Sequence, residues 1–174
     1  MQFSALFAAA SALFTLASAG TVHFVNQDST TRTIVFTPNP GCAEIPSIIV
    51  VGLATADQEF PTGWVGNWYS VSEGATDIPG MLGEVAFDSW AGLTYFDVSA
   101  IVNPDDGNGV KEIFPLHSNL PSFPCANAYN KWDDVQTQST DGSELVCLLG
   151  NLSGSERRSQ RAKLPREFVE GVVV

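Results

Sequence analysis

Beyond its first nineteen residues the chain nowhere sustains a helical period. It consists of short runs that alternate apolar and polar residues, each stopped by glycine, proline or a turn cluster. Residues 21–26 alternate, 28–31 carry a turn signal, and 32–37 alternate again before Pro38-Asn39-Pro40-Gly41 ends the run. Residues 47–52 form a continuous apolar, β-branched run that reads as a buried strand, and 64–71, 81–87 and 93–99 extend the series. Many short strands between frequent breakers predict an all-β domain, a sandwich or a barrel.

Residues 1–19 are an apolar stretch closing on Ala17-Ser18-Ala19, small residues that suit signal-peptide cleavage. The chain therefore divides into a signal peptide at 1–19, one domain at 20–150 and a tail at 151–174. The tail holds five of the eight basic residues with little apolar content, which predicts a disordered basic segment. Asn151-Leu152-Ser153 is a glycosylation sequon, so Asn151 is a candidate modification site, and Arg157-Arg158 is a candidate processing site. Before residue 151 the basic side chains are Arg32, Lys111 and Lys131, against sixteen acids, and the whole chain carries a net charge of −11. Such a surface repels phosphate, so no nucleic-acid partner is expected. No later run approaches the ~20 apolar residues of a membrane span. The expectation is a secreted monomer, extracellular or in the cell wall, without a membrane.

Three cysteines are present, Cys42, Cys125 and Cys147, so three pairings are open in an oxidising compartment. A Cys125–Cys147 bridge is preferred for its modest span, leaving Cys42 over. No CxxC occurs and His23 and His117 stand apart, so neither a metal nor another cofactor is expected.

The strongest chemical signal is a hairpin. Residues 88–93 form the natural turn between two strands, and placing Trp90 and Ala91 at its centre sets Phe87 opposite Thr94, Val85 opposite Phe96 and Gly83 opposite Val98. The other face then pairs Ala86 with Tyr95, and Glu84 with Asp97. Directly opposed residues have Cβ atoms about 4.5–5.5 Å apart, and like charges there destabilise the ladder. One carboxyl of such a pair should have a raised pKa, the condition for acid/base chemistry.

Leu82-Gly83-Glu84-Val85 followed by Tyr95-Phe96-Asp97-Val98-Ser99 resembles the paired-strand signature of thaumatin-like proteins. Residues 79–85, 95–104, 123–129 and 133–137 resemble the small secreted thaumatin-like proteins of filamentous fungi, the CetA/CalA group; the resemblance covers about residues 20–150. It implies a thaumatin-like β-sandwich, a wall-associated, antigenic or adhesive role, and an acidic cleft containing Glu84 and Asp97. Tyr95 joins them as a ligand-binding candidate, and Asp105 and Asp106 stand just beyond the position of a further cleft acid. The cleft arginine has no counterpart, because no arginine lies between Arg32 and Arg157. The expected function is therefore binding of cell-wall β-glucan or an extracellular protein surface. The alternative is a weak endo-β-1,3-glucanase in which Glu84 and Asp97 supply the acid and the nucleophile or base. Trp64, Trp68 and Tyr69 suit either a sugar platform or the core; their bulk favours the core.

Overall fold

The computed structural model describes residues 18–103, 109–117, 123–124, 128, 131 and 136–151. Their strands are β1 (Ser18–Asn26), β2 (Arg32–Pro38), β3 (Ile48–Val50), β4 (Thr55–Pro61), β5 (Val65–Ser72), β6 (Leu82–Ala86), β7 (Thr94–Ser99), β8 (Val110–Pro115), β9 (Phe123–Pro124), β10 (Gln138–Thr140) and β11 (Glu144–Leu149). They form two sheets, ordered β4-β1-β11-β8-β9 and β10-β7-β6-β5-β2-β3. Within the first, β1 pairs with β4 antiparallel and with β11 parallel, so strands from opposite ends of the domain lie side by side. The fold is an all-β sandwich.

The core between the sheets follows from period-2 alternation. Val22, Phe24, Phe60, Ile113, Leu145 and Cys147 come from one sheet; Ile34, Phe36, Trp68, Val85, Phe96 and Val98 come from the other. Phe60 is the aromatic hub, with ring centroids 4.8 Å from Trp64, 5.2 Å from Phe87 and 5.7 Å from Phe36. Trp64 and Trp68 are fully buried, so both serve the core rather than a sugar platform. Trp68 stands opposite Gly83 in the β5–β6 ladder, and its indole covers that glycine so closely that a Cβ there would lie 2.5 Å from the ring. Strand β11 is buried on both faces: Val146 and Leu148 pack with Val25 and Phe114 in a second apolar cluster on the far side of its sheet.

A buried polar lock closes one end of the sandwich. Arg32, 2% exposed, donates from Nη1 to Asn26 Oδ1 (3.0 Å), Asp28 Oδ1 (2.6 Å) and the Thr30 carbonyl (3.0 Å), and from Nη2 to Asp28 Oδ2 (2.9 Å). Asp28 Oδ2 also accepts the Asn151 backbone N–H at 2.9 Å, so the end of β11 is tied to the β1–β2 turn. Burial raises the Asp28 pKa, but the Arg32 guanidinium and the N–H groups of Asn151 and Thr30 outweigh it and hold the carboxyl down at about 2.

Several expectations are corrected. The 47–52 run is no buried strand: only Ile48–Val50 pairs, at a sheet edge, with Ile49 and Val51 exposed. At this edge position Val50 is buried and Ile48 packs partly against the core, while Ile49 between them faces out. The expected Cys125–Cys147 bridge is absent at its Cys147 end, because that thiol is free and sealed in the core on β11. Burial pushes it up to about 12, even with the Trp68 indole lowering it. Cys125 itself, residues 1–17 of the signal and residues 152–174 of the tail lie outside the described residues, while Ser18 and Ala19 already belong to β1. Asn151, the sequon residue, is exposed.

Two outcomes follow. Gly83→Ala forces a methyl into the Trp68 indole and should cost about 1–3 kcal/mol, read as a lower urea midpoint at unchanged slope; an unaltered midpoint contradicts the contact. Iodoacetamide should label the Cys147 peptide only after unfolding, because a buried thiol of high pKa is inert; labelling in native buffer contradicts its burial.

Candidate functional site

On the outer face of the six-stranded sheet the β6–β7 register sets Leu82 against Ser99, Glu84 against Asp97 and Ala86 against Tyr95, the pairing that the turn arithmetic gives. The local sequence accounts for it. Gly83, Val85, Phe96 and Val98 bury inward, so the alternate positions must face out. Strand β5 continues the row, with Asn67 opposite Glu84, and β2 adds Thr37 opposite Asn67. From the other side Thr137, just ahead of β10, donates its hydroxyl to Asp97 Oδ2 at 2.8 Å. A polar row thus crosses the sheet, and a groove of about 230 Å³ lies over it, lined by Glu84, Asp97, Asn67, Asn39, Tyr95 and Ala86 among others.

Two acids sit side by side in the row, Glu84 half-buried and Asp97 buried. Asp97 is 5% exposed, and its Oδ1 is buried with no N–H or hydroxyl donating to it. Glu84 and Asp97 hydrogen-bond to one another, which two ionised carboxylates cannot do, so a proton is shared between them. Burial, the Asp97 charge opposite and that hydrogen bond together push Glu84 up to about 8. Asp97 is raised by burial too, but hydrogen bonds from Thr137 and Glu84 oppose the rise, so Glu84 carries the proton and Asp97 accepts it.

The hairpin tip carries an exposed aromatic side chain. Asp88 and Ala91 adopt left-handed backbone (φ 45° and 59°), followed by Gly92 at φ 72°. Residues held there without glycine's freedom store strain of order 1–3 kcal/mol each. The turn leaves Trp90 78% exposed, and the Tyr95 hydroxyl donates to the Trp90 carbonyl at 3.3 Å.

Of the residues singled out from sequence, Glu84, Asp97 and Tyr95 come together here. Asp105 and Asp106 lie outside the described residues. His117 has a distant partner that local reading missed: its Nε2 lies 3.5 Å from Glu144, whose other oxygen is 3.7 Å from His23, which pairs with Asp57 at 2.8 Å. No three metal-ligating side chains converge among the described residues. Sequence reading also missed Asn67 and Thr137 as site residues. Asn67 was within reach, because inward Trp64 and Trp68 oblige residue 67 to face out; Thr137 comes from another part of the chain.

No family model matches the chain. Over 134 residues it is 51% identical to the antigenic protein SchS21 of Stachybotrys chartarum, spanning 74% of this chain and 93% of that protein. The chain belongs to the SchS21 family. Among solved structures it is similar to the protein elicitor MoHrip2 from Magnaporthe oryzae, with a TM-score of 0.59 at 16% identity, over 76% of this chain and all of that one. This second likeness is one of fold. The two findings overturn the thaumatin resemblance: the SchS21 relative supplies the family, and the elicitor's fold is a different one from thaumatin. The quoted motifs describe a single antiparallel ribbon, and alternation of that kind arises wherever two strands bury one face.

The shared proton fixes a pH dependence. Folded Glu84 holds its proton to about pH 8 and an ordinary glutamate releases it near 4.5. Between those values the native state binds more protons than the unfolded one, so stability falls as pH rises from about 4.5 to about 8. Glu84→Gln, which keeps a donor toward Asp97, should flatten that decline in urea titrations; a decline of undiminished slope contradicts the shared proton.

Proposed function

We propose that this member of the SchS21 family is an exported, non-catalytic binding protein that holds a cell-wall β-glucan in the groove over Glu84 and Asp97. The observation that carries the reading is the groove's composition. Carboxyl and amide groups line it beside Tyr95, and the same hairpin carries exposed Trp90, a mixture of directional polar groups and flat apolar faces that suits sugar rings. Export is supported by the signal-like residues 1–19 and by the company of an antigenic protein and an elicitor. Binding is favoured over hydrolysis because the two carboxyls hydrogen-bond to each other. Carboxyls that act directly on each other are not set on either side of a glycosidic bond, as a hydrolytic pair is.

Secreted protein should sediment with insoluble β-1,3-glucan at low and high salt, and Trp90→Ala or Tyr95→Ala should weaken retention about tenfold, the size of one good aromatic contact. Failure to bind at any salt removes glucan and leaves an extracellular protein surface as the partner. Incubation with laminarin should release no reducing sugar above blank. Release that disappears in both Glu84→Gln and Asp97→Asn reverses the preference and makes the chain a glucanase.

A further inference from the structure

We infer that Asn151 carries an N-linked glycan, and that this sugar shields the uncharged edge of the six-stranded sheet at β3 and the turn after it. The inference rests on the export in the reading above and is independent of the groove. Among the described residues β3 ends its sheet and pairs with β2 alone. From Ile45 to Ala56 the sequence holds no charged side chain. Ile49, Val51 and Leu53 stand 66%, 59% and 51% exposed along this stretch. Leu53 does so from left-handed backbone (φ 60°), a conformation that glycine or asparagine usually occupies. An apolar edge without charge invites pairing with another chain, and proteins ordinarily cover it or charge it. The net charge of −11 opposes such pairing, but salt screens that repulsion.

The sequon Asn151-Leu152-Ser153 begins beside this edge. Asp28 joins the two: its backbone carbonyl accepts the Leu53 N–H at 2.8 Å, and its Oδ2 accepts the Asn151 N–H at 2.9 Å. Asn26, a member of the same lock, donates its side-chain amide to the Val50 and Val51 carbonyls at 3.2 Å each. Asn151 is exposed and enters the lock through its backbone, so a sugar on its side chain keeps that bond. The topology presents the acceptor in time. Strand β11 lies between β1 and β8 and is the last described strand of the chain, so the sheet lacks a central member until residue 149 has been made. The sequon follows β11 directly and meets the transferase before the sheet has closed. The co-reactant is an oligosaccharide on a polyisoprenyl diphosphate. The Asn151 amide nitrogen bonds to the anomeric carbon, the bond from that carbon to the diphosphate oxygen breaks with its electron pair leaving on the lipid diphosphate, and one amide proton passes to a base of the transferase. The attached glycan is bulky and solubilising. It stands at the Arg32 end of β2, whereas the groove's polar row crosses β2 at Thr37, so the groove stays open.

The full chain expressed in a eukaryotic host tests this. The protein recovered from the medium should carry a glycan mass that peptide N-glycosidase removes, leaving aspartate at position 151 in the peptide map. Ser153→Ala, which keeps Asn151 and its bond to Asp28, should lose that mass. The enzymatically stripped protein and Ser153→Ala should both self-associate as salt is raised, read by light scattering and earlier elution from a sizing column, while the glycosylated protein stays monomeric. Ile49→Lys and, separately, Val51→Lys should restore the monomer without the sugar, with the urea midpoint showing each variant folded. A product absent from the medium sinks the export on which both readings stand. A secreted product without N-glycan, or one whose glycan survives Ser153→Ala, overturns the site and leaves the groove reading intact. A stripped protein that stays monomeric at high salt, or that associates undiminished with either lysine in place, overturns the shield.

Discussion

The indole of Trp68 lying on Gly83 is the contact from which the site derives. Strand pairing has a period of two, so a slip of one residue in the β5–β6 ladder would turn every side chain of one strand to the other face. With Trp68 inside and a glycine opposite, such a slip would replace the fit by a clash with Leu82 or Glu84. The same register sets Asn67 beside Glu84, and the β6–β7 ladder carries the order on to Asp97. A core requirement thus holds two acids together that surface electrostatics alone would separate.

The protein treats buried carboxylates in two opposite ways. At one end of the sandwich Asp28 faces a buried guanidinium, its charge is matched, and the carboxyl stays ionised down to about pH 2. Across the outer face Glu84 and Asp97 face each other, and the pair lowers its cost by keeping a proton to about pH 8. The first arrangement is closed: Arg32 and the Thr30 and Asn151 N–H groups occupy the oxygens of Asp28, and it serves to bind strands together. The second lines a groove. That asymmetry is the reason to place ligand chemistry at one and structural work at the other.

Membership of the SchS21 family and the fold shared with an elicitor agree with a small β-sandwich. They also show how a motif can be right about a ribbon and wrong about a family. Leu82–Val85 and Tyr95–Ser99 state which residues alternate inward, which is a local fact. Thaumatin likeness would have required the whole fold to follow, and the fold shared with the elicitor is a different one. Strand β11, which joins β1 in parallel, was not apparent from periodicity, because a strand buried on both faces loses its alternation. Strand β4 escaped for the opposite reason: as an edge strand with a polar run, Asp57 to Glu59, it shows few apolar positions.

By itself the sequence determined the all-β class, the β6–β7 register and the confrontation of Glu84 with Asp97, because turn chemistry and period-2 burial act between residues close along the chain. Tertiary structure alone decided which strands share a sheet, that Cys147 is a core thiol rather than half of a bridge, and that Asn67 and Thr137 flank the acids. Those outcomes depend on segments far apart in the chain meeting across a common core, where packing selects the partner and local pattern carries no record of the choice.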